Sequence, residues 1–156
     1  MLLGSQEEAR VPYEIKTEIG ISASPSRIWE VLIDFSHYPQ WNPFLLEVRG
    51  DVYQGARIHY RFEMPRGIRI WTAALVLRFN PERELRFSAQ LLAANVFRGD
   101  HYFAIEPKDR DSVIFHHGEI ISGLLFPAVQ LILQKHGPPI FQALNGALKR
   151  RAEEPH

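Results

Sequence analysis

The sequence predicts an α+β chain: seven antiparallel strands in one sheet, two short helices after the first strand, and a helical C-terminal segment. Three observations lead there. Period-two alternation recurs from Tyr13 onward, a Ser-Pro pair interrupts it after the first strand, and the apolar spacing changes to three and four beyond Leu124.

In YEIKTEIGIS, Tyr13, Ile15, Ile19 and Ile21 share odd positions with Thr17 among them, the pattern of a half-buried strand. Ser24 and Pro25 read as an N-cap followed by proline at the first helical position. Ile28, Val31, Leu32 and Phe35 then form one apolar helical stripe, and the helix should stop near Asp34. SHYPQWNP follows as a compact second turn or short helix. Six strand-like segments come next: FLLEVRG, ARIHYRFEM, IRIWTAALVLRF, ELRFSAQLL, VFRGDHYFAIE and SVIFHHGEII. Turn signals such as Gly50-Asp51, Pro65-Arg66-Gly67, Asn80-Pro81 and Pro107-Lys108-Asp109 separate them, and connections this short make antiparallel neighbours. Helix is expected at Leu124–Lys135, a break at Gly137-Pro138-Pro139 because a residue before proline resists the helical region, and a last helix at Ile140–Glu153.

The 156 residues suit one domain at 13–153 preceded by a loose tail at 1–12. Lys+Arg and Asp+Glu both count 18, so no bulk field recruits nucleic acid or an anionic surface. The absence of cysteine excludes disulfides, thiolate metal sites and a cysteine nucleophile, and fits a reducing compartment. MLLGSQEEARVPYEIK has no basic segment leading into an apolar run, and the apolar stretch Ile120–Leu133 is too short to span a bilayer. A cytoplasmic location is the expectation.

Four stretches, ASPSRIWEVLIDFSHYPQWNPF, PERELRF, GDHYFAIEP and HHGEIISG, in this order of elements, resemble the START-like superfamily. Its members are also called helix-grip, SRPBCC or polyketide cyclase/dehydrase proteins. The resemblance spans about residues 13–153. It implies a strongly curved sheet wrapped around the long C-terminal helix with a cavity between them. It also implies that Tyr38, Trp41 and Phe44 plug the narrow end and border the cavity mouth. Function is left open, because the superfamily holds lipid carriers, receptors, cyclases and regulators.

Period two assigns the inward faces. Ile58, Tyr60, Phe62 and Met64 point in, opposite Arg57, His59 and Arg61. With Arg78 outside, Trp71, Ala73, Leu75, Leu77 and Phe79 point in. Leu85, Phe87, Ala89 and Leu91 follow, and Phe97 and the helical Phe141 join the candidate lining. A hairpin centred on Asp109 opposes Phe103 to Phe115 and His101 to His117, all four inward together with Glu119. Two imidazoles and a carboxylate in an apolar wall need partners, a ligand or water. They either satisfy one another or fix the polar head of an apolar ligand, and an inward histidine can also move a proton.

Other constellations carry less. His116 and His117 point to opposite faces and cannot chelate together, and a His101, His117, Glu119 metal set has no reinforcing ligand, so no metal and no cofactor are expected. No phosphate loop, dinucleotide motif or nucleophile elbow is present. Arg57 and Arg61 lie on the face opposite Tyr60 and Phe62, which argues against nucleic acid. LLFPAVQLILQKHGPPIF reads as the buried face of the gripping helix or as a lid in transient membrane contact. The expected function is binding of a lipid, quinone, isoprenoid or polyketide-like molecule. A cyclase or dehydrase using His101, His117 or Glu119 is the first alternative, and a regulatory protein-binding domain with a vestigial cavity the second. The oligomeric state is not encoded legibly.

Overall fold

The computed structural model describes residues 12–155 apart from Leu92 and Ala94, and leaves out the side chains of Met64 and Pro65. The expected tail, except Pro12, and the inward placement of Met64 therefore lie outside the described residues.

Strand β1 (Tyr13–Ile21) leads through Ser24 into α1 (Pro25–Ile33). Ser24 Oγ accepts from the Arg27 N–H at 3.2 Å, the expected cap. Ile28, Val31, Leu32 and Phe35 are buried as their spacing demanded, and each fully buried side chain of this size stabilises the fold by roughly 1.5–3 kcal/mol. A 3-10 turn at Phe35–His37 and α2 (Tyr38–Trp41) follow. Six further strands complete the sheet: β2 (Leu45–Arg49), β3 (Arg57–Met64), β4 (Ile68–Asn80), β5 (Glu84–Leu91), β6 (Phe97–Pro107) and β7 (Val113–Ser122). Their order is β1-β7-β6-β5-β4-β3-β2, antiparallel throughout, so α1 and α2 carry the chain from one sheet edge to the other. The C-terminal helix α3 (Phe126–Glu153) lies chiefly against β1 and β7. This is the helix-grip arrangement.

The aromatic linker is a plug. Tyr38 is buried, donates its hydroxyl to the Leu32 carbonyl at 2.6 Å, and meets Phe35 and Trp41 edge-on. Asn42 Oδ1 accepts from the Phe44 and Leu45 N–H groups and starts β2, while Phe44 stacks on Phe62 at 5.3 Å.

Three expectations need correction. The C-terminal helix does not break: α3 continues through Pro138 and Pro139. Gly137 has no Cβ to clash with the Pro138 ring, and the same absence lets it sit against Ile15, where a Cβ would come within 2.5 Å of Cδ1. Second, Trp71 and Leu75 face outward. The β4–β5 register shifts between Val76 and Arg78, so the parity read back from Arg78 inverts. Ala74 and Val76 are buried instead, while Trp71 is 46% and Leu75 40% exposed. Trp71 lies under the Arg49 and Arg61 guanidinium groups, so one aromatic does share the basic outer face.

Third, the β6–β7 pairing is two residues away from the expected one. Phe103 opposes His117, His101 opposes Glu119, and Ile105 opposes Phe115. The loop Lys108–Ser112 is centred on Arg110, and Asp109 shapes it by accepting from Asp111 N–H and Ser112 Oγ–H. A two-residue slip keeps parity, so His101, Phe103, Phe115, His117 and Glu119 remain on the inner face.

Candidate functional site

The inner face of β6 and β7 meets the middle of α3 at a polar chain embedded in aromatic surface. Thr17 Oγ1 on β1 donates to the His117 carbonyl at 2.9 Å and accepts from Asn145 Nδ2 at 2.9 Å. Asn145 Oδ1 is then left to accept from His117 Nδ1–H at 2.7 Å. With its proton on Nδ1, His117 accepts at Nε2, so the 2.8 Å contact with His101 Nε2 has His101 as donor. His101 Nδ1 is consequently a free lone pair, an acceptor or base.

The rings around this chain are apolar. Phe141 stacks on His117 at 4.3 Å, Phe103 packs against both imidazoles at 4.9 and 5.0 Å, and Phe103 reaches Phe115 and Phe87. Burial holds His101 well below its usual value, helped by the neighbouring His117. Burial also pulls His117 down to about 4, against the opposing pull of its bond to Asn145 and of the Phe141 backbone. Both rings are neutral at physiological pH.

Glu119 lies across the β6–β7 ladder from His101, and its carboxyl folds over Gly99, where a Cβ would collide with Oε1. Burial and then the Asp100 charge push it up to about 7. Asp100, on the other face of the sheet, is held by Arg98 at 2.8 Å. Glu119 has no hydrogen-bond donor or cation among the described residues, and no inward strand position from β3 to β7 carries lysine or arginine. Tyr60 is near enough that the Glu119 charge, after burial, raises its hydroxyl pKa. His101, Glu119 and Tyr60 each keep some accessible surface although protein surrounds them.

The other candidates separate into groups. Tyr60, Phe62, Phe87, Phe97 and Phe141 share the inner face or α3 with the polar chain. Phe115 is wholly buried core. Trp41 borders a surface pocket of about 170 Å³ with Arg27, Glu30, Asp34, His37 and Arg151. A second pocket of about 300 Å³ lies between Ser22, Asp111 and Glu153. Both are at the α1 end, and neither is lined by His101, His117 or Glu119.

Asn145 and Thr17 were missed as site residues. Thr17 occupied the inward parity of β1, and Asn145 stands one turn from Phe141 and three residues before Leu148, a polar group on an apolar stripe. Among the described residues no group of three His, Cys, Asp or Glu side chains is arranged to hold a metal ion. The 2.8 Å Nε2 contact leaves no room for an ion between the two histidines, since each bond to zinc would need about 2.0 Å.

The family model described as polyketide cyclase/dehydrase and lipid transport matches residues 12–153. No curated protein matches the chain. Among solved structures, the Zhui aromatase/cyclase from Streptomyces sp. R1128 superposes with a TM-score of 0.72 at 14% identity, over 91% of this chain and 94% of that one. A truncated norcoclaurine synthase from Thalictrum flavum gives 0.70 at 18% identity, over 94% and 96%. A START superfamily protein from Mycobacterium smegmatis gives 0.66 at 19% identity, over 88% and 97%. At these identities the likeness concerns the fold.

Proposed function

We propose that this chain, which belongs to the polyketide cyclase/dehydrase and lipid transport family, holds a small uncharged hydrophobic molecule between the inner sheet face and α3. Its polar end would meet His101 and Glu119. One observation carries the reading: the relay from Thr17 through Asn145 and His117 fixes His101 with a lone pair free, directly across the ladder from a buried carboxyl that has no partner of its own. A carboxyl that protein surrounds and no donor among the described residues bonds, with only a little surface left to solvent, favours a polar ligand group beside it. Tyr60, Phe62, Phe87, Phe97 and Phe141 supply apolar surroundings, worth about 25 cal/mol for each Å² removed from water.

The charge pattern narrows the ligand. A fatty-acid carboxylate would enter a site with no inward cation and a carboxyl already present, so its desolvation would go uncompensated. A hydroxyl can donate to His101 Nδ1, and a carbonyl can accept from protonated Glu119. Neutral lipids, quinones, isoprenoids and polyketide-like ketones meet these conditions.

The test is mass spectrometry of whatever extracts from the purified protein, with competition between an uncharged long-chain ketone and the matching fatty acid. A stoichiometric neutral compound, or ketone bound at least tenfold tighter near pH 6, where Glu119 keeps its proton and the fatty acid is ionised, supports the reading. An empty protein that takes up neither probe overturns it.

A second reading rests on the opposition of His101 and Glu119 across the ladder. A neutral imidazole facing a protonated carboxyl can take a proton from a carbon beside a ketone and return one to a departing hydroxyl, which leaves as water. The neighbouring aromatase/cyclase makes that chemistry worth assaying. His101→Gln would then keep binding within about tenfold while abolishing turnover.

A further inference from the structure

Exposed apolar side chains in this protein are not scattered. Of the eleven large hydrophobic residues that are exposed among the described residues, seven lie at one end of the sheet. That end is formed by three segments. The β3–β4 tip contributes Ile68 (57% exposed) and Ile70. The end of β5 contributes Leu91 (57%). The turn into α3 and its first turns contribute Leu124 (69%), Leu125, Leu131 (81%) and Ile132.

The ladders bring these segments together. Leu91 pairs with Phe97, Arg98 with Ser122, and the Leu124 and Leu125 N–H groups donate to the Asn95 and Val96 carbonyls. The β3–β4 tip projects beyond the same end, since Ala74 pairs with Ala89 and the hairpin turns at Pro65–Gly67. Scattered exposed leucines need no account, but a cluster drawn from three separate elements does.

Charge identifies what covers it. Residues 65–70, 91–98 and 123–136 contain Arg66, Arg69, Arg98 and Lys135 and not one carboxylate, in a chain that has 18. Arg69 is paired with Glu63 and Arg98 with Asp100. Arg66, at the hairpin tip, and Lys135, on α3, form no ion pair among the described residues. A second copy of this chain would set cations against cations across a symmetric contact. An anionic, apolar surface complements both properties.

We propose that this end of the molecule docks on the surface of an anionic phospholipid bilayer, its leucines and isoleucines entering the headgroup boundary while Arg66 and Lys135 meet the lipid charge. The docking stands on surface side chains alone and does not depend on what the inner face binds. No helix among the described residues is long and apolar enough to cross a membrane, so the contact is peripheral.

Sedimentation of the full chain with phosphatidylcholine vesicles, with and without phosphatidylserine, tests this. The chain should bind the serine-containing vesicles, and binding should weaken as salt shortens the screening length. A Leu124→Glu, Leu131→Glu double variant should lose at least tenfold in partitioning with unchanged melting, because both side chains are already exposed. Arg66→Glu with Lys135→Glu should abolish the preference for anionic vesicles. Failure of the full chain to bind at low salt, or binding that these variants leave untouched, overturns the proposal. So does a concentration-dependent dimer that Leu124→Glu dissolves, which would assign the patch to a second copy.

Discussion

The Nε2 atoms of His101 and His117 lie 2.8 Å apart, so one ring must hold the proton of that contact and the other must lack it. Asn145 decides which, by occupying the far nitrogen of His117. The polarity of the site is thereby set by a buried residue of α3, while burial does most to depress the titration of both rings.

Stability should respond to pH through opposing groups. His117, lowered from 6.5 to about 4, contributes stability that is complete above pH 6.5 and lost as pH falls through 4, and His101 acts in the same direction. Glu119, raised from 4.5 to about 7, contributes stability that is complete below pH 4.5 and lost as pH rises through 7, at most about 3 kcal/mol. Between pH 4.5 and 6.5 the two slopes oppose. Glu119→Gln should therefore melt higher than the parent at pH 8, by several degrees, since about 1 kcal/mol is worth roughly 2–4 °C at this size. It should also lose stability more steeply on acidification. Calorimetry from pH 4 to 8 checks both signs, and identical profiles would refute the assignment.

Asn145→Ala leaves His117 Nδ1–H buried without its side-chain acceptor, at a cost of about 1–3 kcal/mol. Asn145→Asp restores an acceptor and adds a negative charge, so the His117 pKa should rise from about 4. Imidazole proton shifts followed by NMR distinguish the two. A His117 titration unmoved by Asp would mean that the side chains are not in contact.

Two glycines of the same ladder should behave differently. A Cβ on Gly118 would meet the Ile15 backbone carbonyl at 2.5 Å, and β1 cannot retreat without leaving the sheet, so Gly118→Ala should cost about 2 kcal/mol or more. A Cβ on Gly99 meets only the end of the Glu119 side chain, which can swing away. Gly99→Ala should change stability by under about 1 kcal/mol yet weaken binding of an uncharged ligand at least tenfold. Urea denaturation paired with probe titration separates the effects.

Trp71→Ala tests the outward assignment of β4. The ring is 46% exposed under Arg49 and Arg61, so its removal should cost about 1 kcal/mol and leave ligand binding unchanged. Phe87→Ala, on the inner face and 8% exposed, should cost about 3 kcal/mol or more. Loss of probe binding in the Trp71 variant would return that ring to the interior.

Much of the fold was legible because its signals are local. The Ser24-Pro25 start, the apolar stripe of α1 and the alternation in β3 depend on near neighbours alone, and all are present in the structure. The failures came where one residue's effect propagates. One extra residue near Leu77 reversed every assignment read backward from Arg78 along β4. Reading the β6–β7 turn from Asp109 rather than Arg110 displaced the pairing by two, which kept the faces but hid the opposition of His101 and Glu119. The bond from Asn145 to His117 joins residues 28 apart on different elements, and no period in the sequence announces it.

The irregularity in β4 also decides which of its side chains share a face. Thr72 and Ala74 face inward there, while the far bulkier Trp71 and Leu75 look out. Deleting Leu77 would join Val76 directly to Arg78 and restore a regular ladder, with Ala74 and Val76 still inward and Trp71 and Leu75 still outward. The extra residue is what lets Trp71 and Arg78, an odd number of positions apart, share the outer face, and a single-codon deletion there would remove the local bend while leaving each neighbour on its side of the sheet.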